Sequence, residues 1–179
     1  MRRAALCEVF PVPDPALVAK GMAIQASLPA TEHSSRERAE AATGAAVCQS
    51  CHRRINAFGF VLENFGPLGE WRTSQNVVDD TGKTIASFKI DSHVDDIQVD
   101  SVGSLDDASR LAPSLATTKA AAGCFAERLF ISSRWRYPSA EDDCLLRELV
   151  DATDDVSVAE ALVSSIANDD IFYRAEAAQ

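Results

Sequence analysis

Histidine and methionine are scarce in this chain, with three and two copies in 179 residues. Any site that needs several imidazoles would have to recruit all of them, so each can be weighed singly. Basic residues are also short: 17 Lys and Arg stand against 27 Asp and Glu, for a net charge of −10 and a pI of about 4.7. That balance argues against nucleic acid or an anionic lipid surface as a partner. It leaves basic redox proteins as partners, because opposite charge steers encounter, although acidity also simply keeps a protein soluble. No apolar run approaches the roughly 18 residues of a membrane span. There is no second Cys-x-x-Cys and no His-x-x-x-His to complete a zinc tetrahedron. Gly82-Lys83-Thr84 lacks the earlier glycine of a phosphate loop, since Val77 stands there. Asp91, Asp95, Asp96 and Asp100 follow no calcium-loop spacing and read as a solvated acidic loop. No Ser-His-Asp set or paired-carboxylate cleft is visible.

What is present is an ordinary globular balance, 46% hydrophobic and 25% charged, long enough for one domain or two small ones. One stretch stands out: Cys48-Gln49-Ser50-Cys51-His52, the Cys-x-x-Cys-His attachment pattern of c-type haem. Two thiols three positions apart on one helical turn can each form a thioether with a vinyl group of the same porphyrin. The next histidine then supplies the proximal nitrogen to iron. With five Cys and three His in the chain, composition alone gives about 0.002 occurrences of this pattern. The competing readings are a redox dithiol, half a zinc site, or a structural disulfide. The first needs a strand before the motif, and Gly44 to Val47 is a weak one.

Pro11, Pro13 and Pro15 suggest that residues 1–35 form a proline-rich extended arm. Ser34-Ser35 followed by Arg36 to Ala42 is a helix start, and a helix carries the motif through Arg53 and Arg54. Phe58, Val61, Leu62 and Phe65 recur at helical spacing, as a core face or the wall of a cofactor pocket, until Gly66-Pro67 ends the helix. Asp79 to Lys83 is a turn between β-prone runs, Asn76 to Val78 and Thr84 to Ile90, hence a hairpin. Helices are then predicted over Leu105–Leu111, Leu115–Trp135, from Ser139 through Val150, and from the Ser157–Glu160 capping box through Ile166. Short connections make these a helical bundle.

Several further pieces, Arg2-Arg3, Leu6-Cys7, Arg36-Glu37-Arg38, Gly59-Phe60, Leu62-Glu63-Asn64-Phe65, Gly69, Trp71-Arg72, Cys124-Phe125-Ala126 and Cys144, flank the motif in order. With it they resemble the C-terminal part of large exported bacterial proteins of the planctomycete cytochrome kind, built from domains of unknown function. The resemblance implies a monohaem c-type module, then a helical module, in an exported protein. Two positions differ from that pattern: Ala42 stands where a histidine is frequent, and Asn56-Ala57 where Asp-Pro is usual.

The resulting expectation is a mainly α protein: an arm (1–35), a cytochrome c-like haem module with a small β-hairpin insertion (36–103), and a C-terminal helical bundle (104–179). One covalent haem c is expected on Cys48 and Cys51, with His52 as the proximal iron ligand. Phe58, Phe60 and Phe65 are expected to wall the pocket. Trp71 and Arg72 either reach a propionate or serve packing and a surface ion pair. For the sixth ligand the candidates are Met22, His33, His93 or an open position. Cys124 and Cys144, on adjacent predicted helices, are expected to form a disulfide, with two buried thiols as the alternative; Cys7 is left unassigned.

One-electron transfer in a periplasmic or extracellular protein is the function expected, with a redox protein or further domains of a larger chain as partner. The alternatives are a haem enzyme with an open distal site, a module in which haem is mainly a folding core, and a haem-free, disulfide-stapled interaction domain. Met1 to Cys7 fits neither a signal peptide nor a lipoprotein start, so any export signal is expected on a preceding segment.

Overall fold

The computed structural model describes residues 1–152 together with 160 and 163. Its α-helices are α1 (Arg2–Ala5), α2 (Pro15–Ala26), α3 (Ser35–Thr43), α4 (Ala46–Val61), α5 (Ala108–Ala116), α6 (Lys119–Arg134) and α7 (Asp143–Ala152). Strands β1 (Ser74–Val78) and β2 (Thr84–Lys89) form one antiparallel pair, and a 3₁₀ turn spans Ala140–Asp142. The mainly helical class with one small hairpin is therefore as expected. The chain divides into two units, Val9–Leu115 and Met1–Glu8 with the chain from Ala116 on. The expected helix at Ser157–Ile166 lies outside the described residues.

In the unit Val9–Leu115, the expected extended arm is in large part a helix. Pro15 stands at the first helical position, where its missing N–H costs nothing, and Asp14 caps α2 by accepting from Ala16 N–H at 2.8 Å. Helix α2 packs on α3. The approach is close at Gly21: a Cβ there would lie 3.1 Å from the carbonyl oxygen of Ala42. Helix α3 starts on a full capping box, in which Ser34 and Glu37 satisfy each other's backbone N–H groups. Its far end packs on α4. The second half of α4 buries Ala57, Phe58, Phe60 and Val61, and the irregular segment that follows the hairpin buries Val94, Ile97, Val99, Val102 and Leu105. These are the main apolar contributions to this unit's core.

Beyond α4 the chain closes a tight loop. Asn64 Nδ2 donates to the Arg72 carbonyl at 3.1 Å, Arg72 N–H to the Asn64 carbonyl at 2.7 Å, and Arg72 Nε to the Glu63 carbonyl at 3.0 Å. Trp71 meets Phe65 edge to face, with ring centroids 5.5 Å apart. A Cβ at Gly66 would meet the Glu70 carboxylate, the end of a flexible side chain that would have to swing aside. The hairpin register pairs Ser74 with Lys89 through Val77 with Ala86. Its turn is organised by Asp79, whose Oδ1 accepts from Thr81 N–H and Lys83 N–H.

The other unit centres on α6 and α7. Thr118 caps α6 through Ala121 N–H at 3.1 Å, which starts the helix later than the predicted Leu115. Ala126, Leu129 and Leu149 form its buried cluster, with Phe125, Leu145 and Val150 against it. The Ser139–Asp142 capping box is present, and Asp142 also receives both Nη groups of Arg136 at 2.7 Å. The N-terminal residues belong to this unit through a covalent link. Cys7 is bridged to Cys124, with Cα atoms 5.2 Å apart. This corrects the expected Cys124–Cys144 disulfide: Cys124 is buried beside α1, whereas Cys144 is an exposed free thiol on α7. Arg2, buried on α1, forms a two-pronged ion pair with Glu8, one prong being Nε to Oε2 at 2.7 Å.

A bridge with a sequence separation of 117 residues restricts the unfolded chain strongly. Cys7→Ser, or reduction of the wild type, is expected to lower unfolding stability by roughly 2–5 kcal/mol, and Cys144→Ser to leave it unchanged. Chemical denaturation with and without reductant measures this; equal midpoints would show that the bridge is not formed.

Candidate cofactor-attachment site

Helix periodicity sets the site. Cys51 and His52 lie three and four residues after Cys48 on α4, and Ile55 four and three after them, so the four share one side of the helix. Both thiols are free and half-buried. Ile55 is 38% exposed, an apolar side chain left partly in water beside them. The three-ligand cluster of a protein-only metal site is absent among the described residues.

His52 is held from behind by a chain of hydrogen bonds. Its Nδ1 lies 3.0 Å from Asn56 Oδ1, Asn56 Nδ2 donates to Thr43 Oγ1 at 2.8 Å, and Thr43 Oγ1 donates to the Ala39 carbonyl at 2.7 Å. The direction follows from counting protons. Thr43 has one hydroxyl hydrogen; used on Ala39, it leaves the oxygen free to accept from the Asn56 amide, whose Oδ1 then faces the imidazole. Reversing the amide would forgo one of the three bonds, a cost of about 1 kcal/mol or a factor of about five. This arrangement favours the proton on Nδ1, which leaves the lone pair on Nε2.

These residues fit the attachment chemistry: two unbridged thiols on one turn and an imidazole whose Nδ1 faces an amide oxygen, leaving Nε2 for a ligand. Cys48 and Cys51 would hold the porphyrin and His52 Nε2 the iron. Asn56 and Thr43 were not singled out for this role by the sequence. Asn56 sits four residues after His52 on the same helix face, a spacing that could have flagged it. Thr43 reaches the site only through the packing of α3 on α4, which no local spacing shows.

Beside His52 is a cavity of about 280 Å³, lined by Gln49, Asn56, Phe60, Arg36, Val94 and neighbours. Of the three aromatics expected to wall a pocket, Phe60 lines this cavity. Phe58 is buried in the core, and Phe65 is 44% exposed against Trp71. Arg72 spends its Nε on the Glu63 carbonyl and Trp71 packs on Phe65, so both fit the packing alternative for that pair. Arg36 covers the cavity edge. Its guanidinium lies 4.6 Å from the Phe60 ring centroid and donates to the carbonyls of Asp91 and His93, both at 2.8 Å. Glu63 nearby is pushed above the ordinary carboxylate range by burial, against the pull of Arg36 and Arg72.

The sixth-ligand candidates differ in availability. Met22 is 65% exposed on α2, and His33 is half-buried in the turn before α3. His93 is engaged at both ring nitrogens, Nδ1 with Asp106 at 2.9 Å and Nε2 with Asp95 at 3.3 Å. Iron ligation would cost it one of those carboxylates. The Asp106 bond, then the Asp95 bond, holds His93 above the ordinary histidine value. Because pairing raises it, the tether is complete below about pH 6.5 and is lost as pH climbs past the elevated value. An NMR titration should place the His93 midpoint above about 6.5, and Asp106→Asn should lower it; a midpoint indifferent to that substitution would dissolve the tether.

Comparison with known proteins bears on the first 75 residues. No curated protein and no solved structure matches. Residues 1–75, which include the attachment motif and Trp71-Arg72, match PSCyt3, described as a protein of unknown function (DUF1588). That stretch is thus similar to a planctomycete cytochrome-type domain whose function is unassigned.

Proposed function

We propose that this chain is a c-type cytochrome module that carries one covalent haem and passes single electrons in an extracytoplasmic bacterial protein. The observation that carries the reading is the turn of α4 on which Cys48 and Cys51 stand as unbridged thiols while His52 Nδ1 lies 3.0 Å from Asn56 Oδ1. In this role Cys48 and Cys51 form the two thioethers and His52 Nε2 is the proximal ligand. When bound, haem supplies a one-electron iron couple whose potential is tuned by the axial ligands and their hydrogen bonds.

The chain's own residues do the rest. Ile55 gives the attachment face an apolar side chain that is left partly exposed otherwise. Met22 and His33 are the distal candidates that, unlike His93, hold no carboxylate by a hydrogen bond among the described residues. The net charge of −10 favours a basic redox protein as partner. The Cys7–Cys124 bridge supports an oxidising compartment, where such attachment takes place.

The test is export of the chain together with the cytochrome c maturation machinery. The expected product is coloured, with a c-type α band in the pyridine haemochrome that stays with the denatured chain. Cys48→Ser with Cys51→Ser should abolish it. A low-spin native spectrum supports electron transfer, and a high-spin iron that binds cyanide readily would favour an open catalytic site. A colourless product beside a loaded control cytochrome would sink the proposal and favour a disulfide-stapled interaction module.

A further inference from the structure

We infer that Asn56 and Thr43 are positioning residues for His52: they fix its neutral ring with the proton on Nδ1 and set the donor strength of Nε2. The consequence for iron rests on the haem reading above, whereas the geometry does not. A ring nitrogen ligates only with its lone pair free, and a neutral imidazole in water prefers its proton on Nε2, the form that cannot ligate there. A half-buried histidine that is to ligate through Nε2 therefore needs an acceptor at Nδ1.

The acceptor is Asn56 Oδ1 at 3.0 Å. An isolated amide would serve poorly, because a rotation of its end would present Nδ2 to the ring instead. Thr43 prevents this by accepting from Nδ2, and its own hydrogen is anchored on the Ala39 carbonyl one turn earlier in α3. Gln49 holds the two helices in register by donating to the Thr43 carbonyl at 2.8 Å. The polarity of the chain thus runs from the α3 backbone to the imidazole on α4. Partners of this kind raise the basicity of the ligating nitrogen, and losing one typically costs 10–100-fold in metal affinity.

The experiment reads the ring and the iron separately. In the haem-free chain, the two ring ¹⁵N shifts of His52 are recorded to read which nitrogen carries the proton. Wild type is expected to carry the proton on Nδ1. Thr43→Val and Asn56→Leu are expected to move the majority to Nε2, and Thr43→Ser to restore it. If Asn56→Leu does not fold, Thr43→Val carries the test. In haem-loaded protein, Asn56→Asp should lower the midpoint potential, since a carboxylate pulls harder on the Nδ1 proton, and Asn56→Leu should raise it. Proton on Nε2 in wild type, or tautomer and potential unmoved in folded variants, overturns the inference. The expected tautomers in a chain that never acquires haem would uphold the positioning geometry and overturn the haem reading instead.

Discussion

Helix α4 must serve two environments along one axis, and the unit that contains it is arranged around that demand. Its last turn and a half buries Ala57, Phe58, Phe60 and Val61, while the turns before it leave Cys48 and Cys51 half-buried and Ile55 exposed. Burying four apolar side chains at roughly 1.5–3 kcal/mol for each large one fixes the rotation of the helix about its axis. Once that rotation is fixed, the 3.6-residue repeat dictates where the thiols and the imidazole lie. The attachment side is therefore positioned by the core, and a cavity-forming change at Phe58 or Val61 would act on the site without touching it.

The polar residues around α4 divide into those that close loops and those that address the site. Asn64, Gly66, Gly69 and Arg72 belong to the first group; they make the loop after α4 self-sufficient through backbone-directed bonds. Arg36 joins α3 to the segment carrying His93 and at the same time lies over Phe60. The short Arg36-Glu37-Arg38 motif is thus part joint, part cap: Glu37 completes the Ser34 capping box, which also holds its carboxyl below the ordinary range. Thr43 and Asn56 are the residues whose bonds lead to His52.

Local signals were legible. The helix start at Ser34-Ser35, the Ser139–Asp142 cap and the Asp79 turn each arise from residues close in sequence, the hairpin from the two runs flanking that turn, and the structure contains each. What was not legible depends on tertiary context. Pro15 looks like a breaker until Asp14 is seen to cap the helix it begins. The partner of Cys124 could not be chosen from spacing, because Cys7 is brought to it by the packing of α1 on α6. The Thr43–Asn56 link joins two helices, so neither residue advertises it alone. Phe65 matched the helical stripe, but α4 ends at Val61, and the ring turns to Trp71 instead.

The five cysteines impose a final constraint on how the proposed module matures. Thioether formation needs Cys48 and Cys51 as thiols, while the Cys7–Cys124 bridge needs oxidation, and on the proposed reading both occur in one compartment. Loop-closure entropy favours the wrong pair at first, since Cys48 and Cys51 are three residues apart and Cys7 and Cys124 are 117 apart. Packing of α1 on α6 corrects part of this bias by bringing the distant pair to a Cα separation of 5.2 Å. For Cys48 and Cys51 the helix itself resists closure: three residues of regular α-helix place the two Cβ atoms about 5–6 Å apart, beyond the roughly 3.5–4.5 Å of a disulfide. On the proposed reading, the α4 turn holds Cys48 and Cys51 as the unbridged thiols that attachment needs, while the packing of α1 on α6 brings the other pair together.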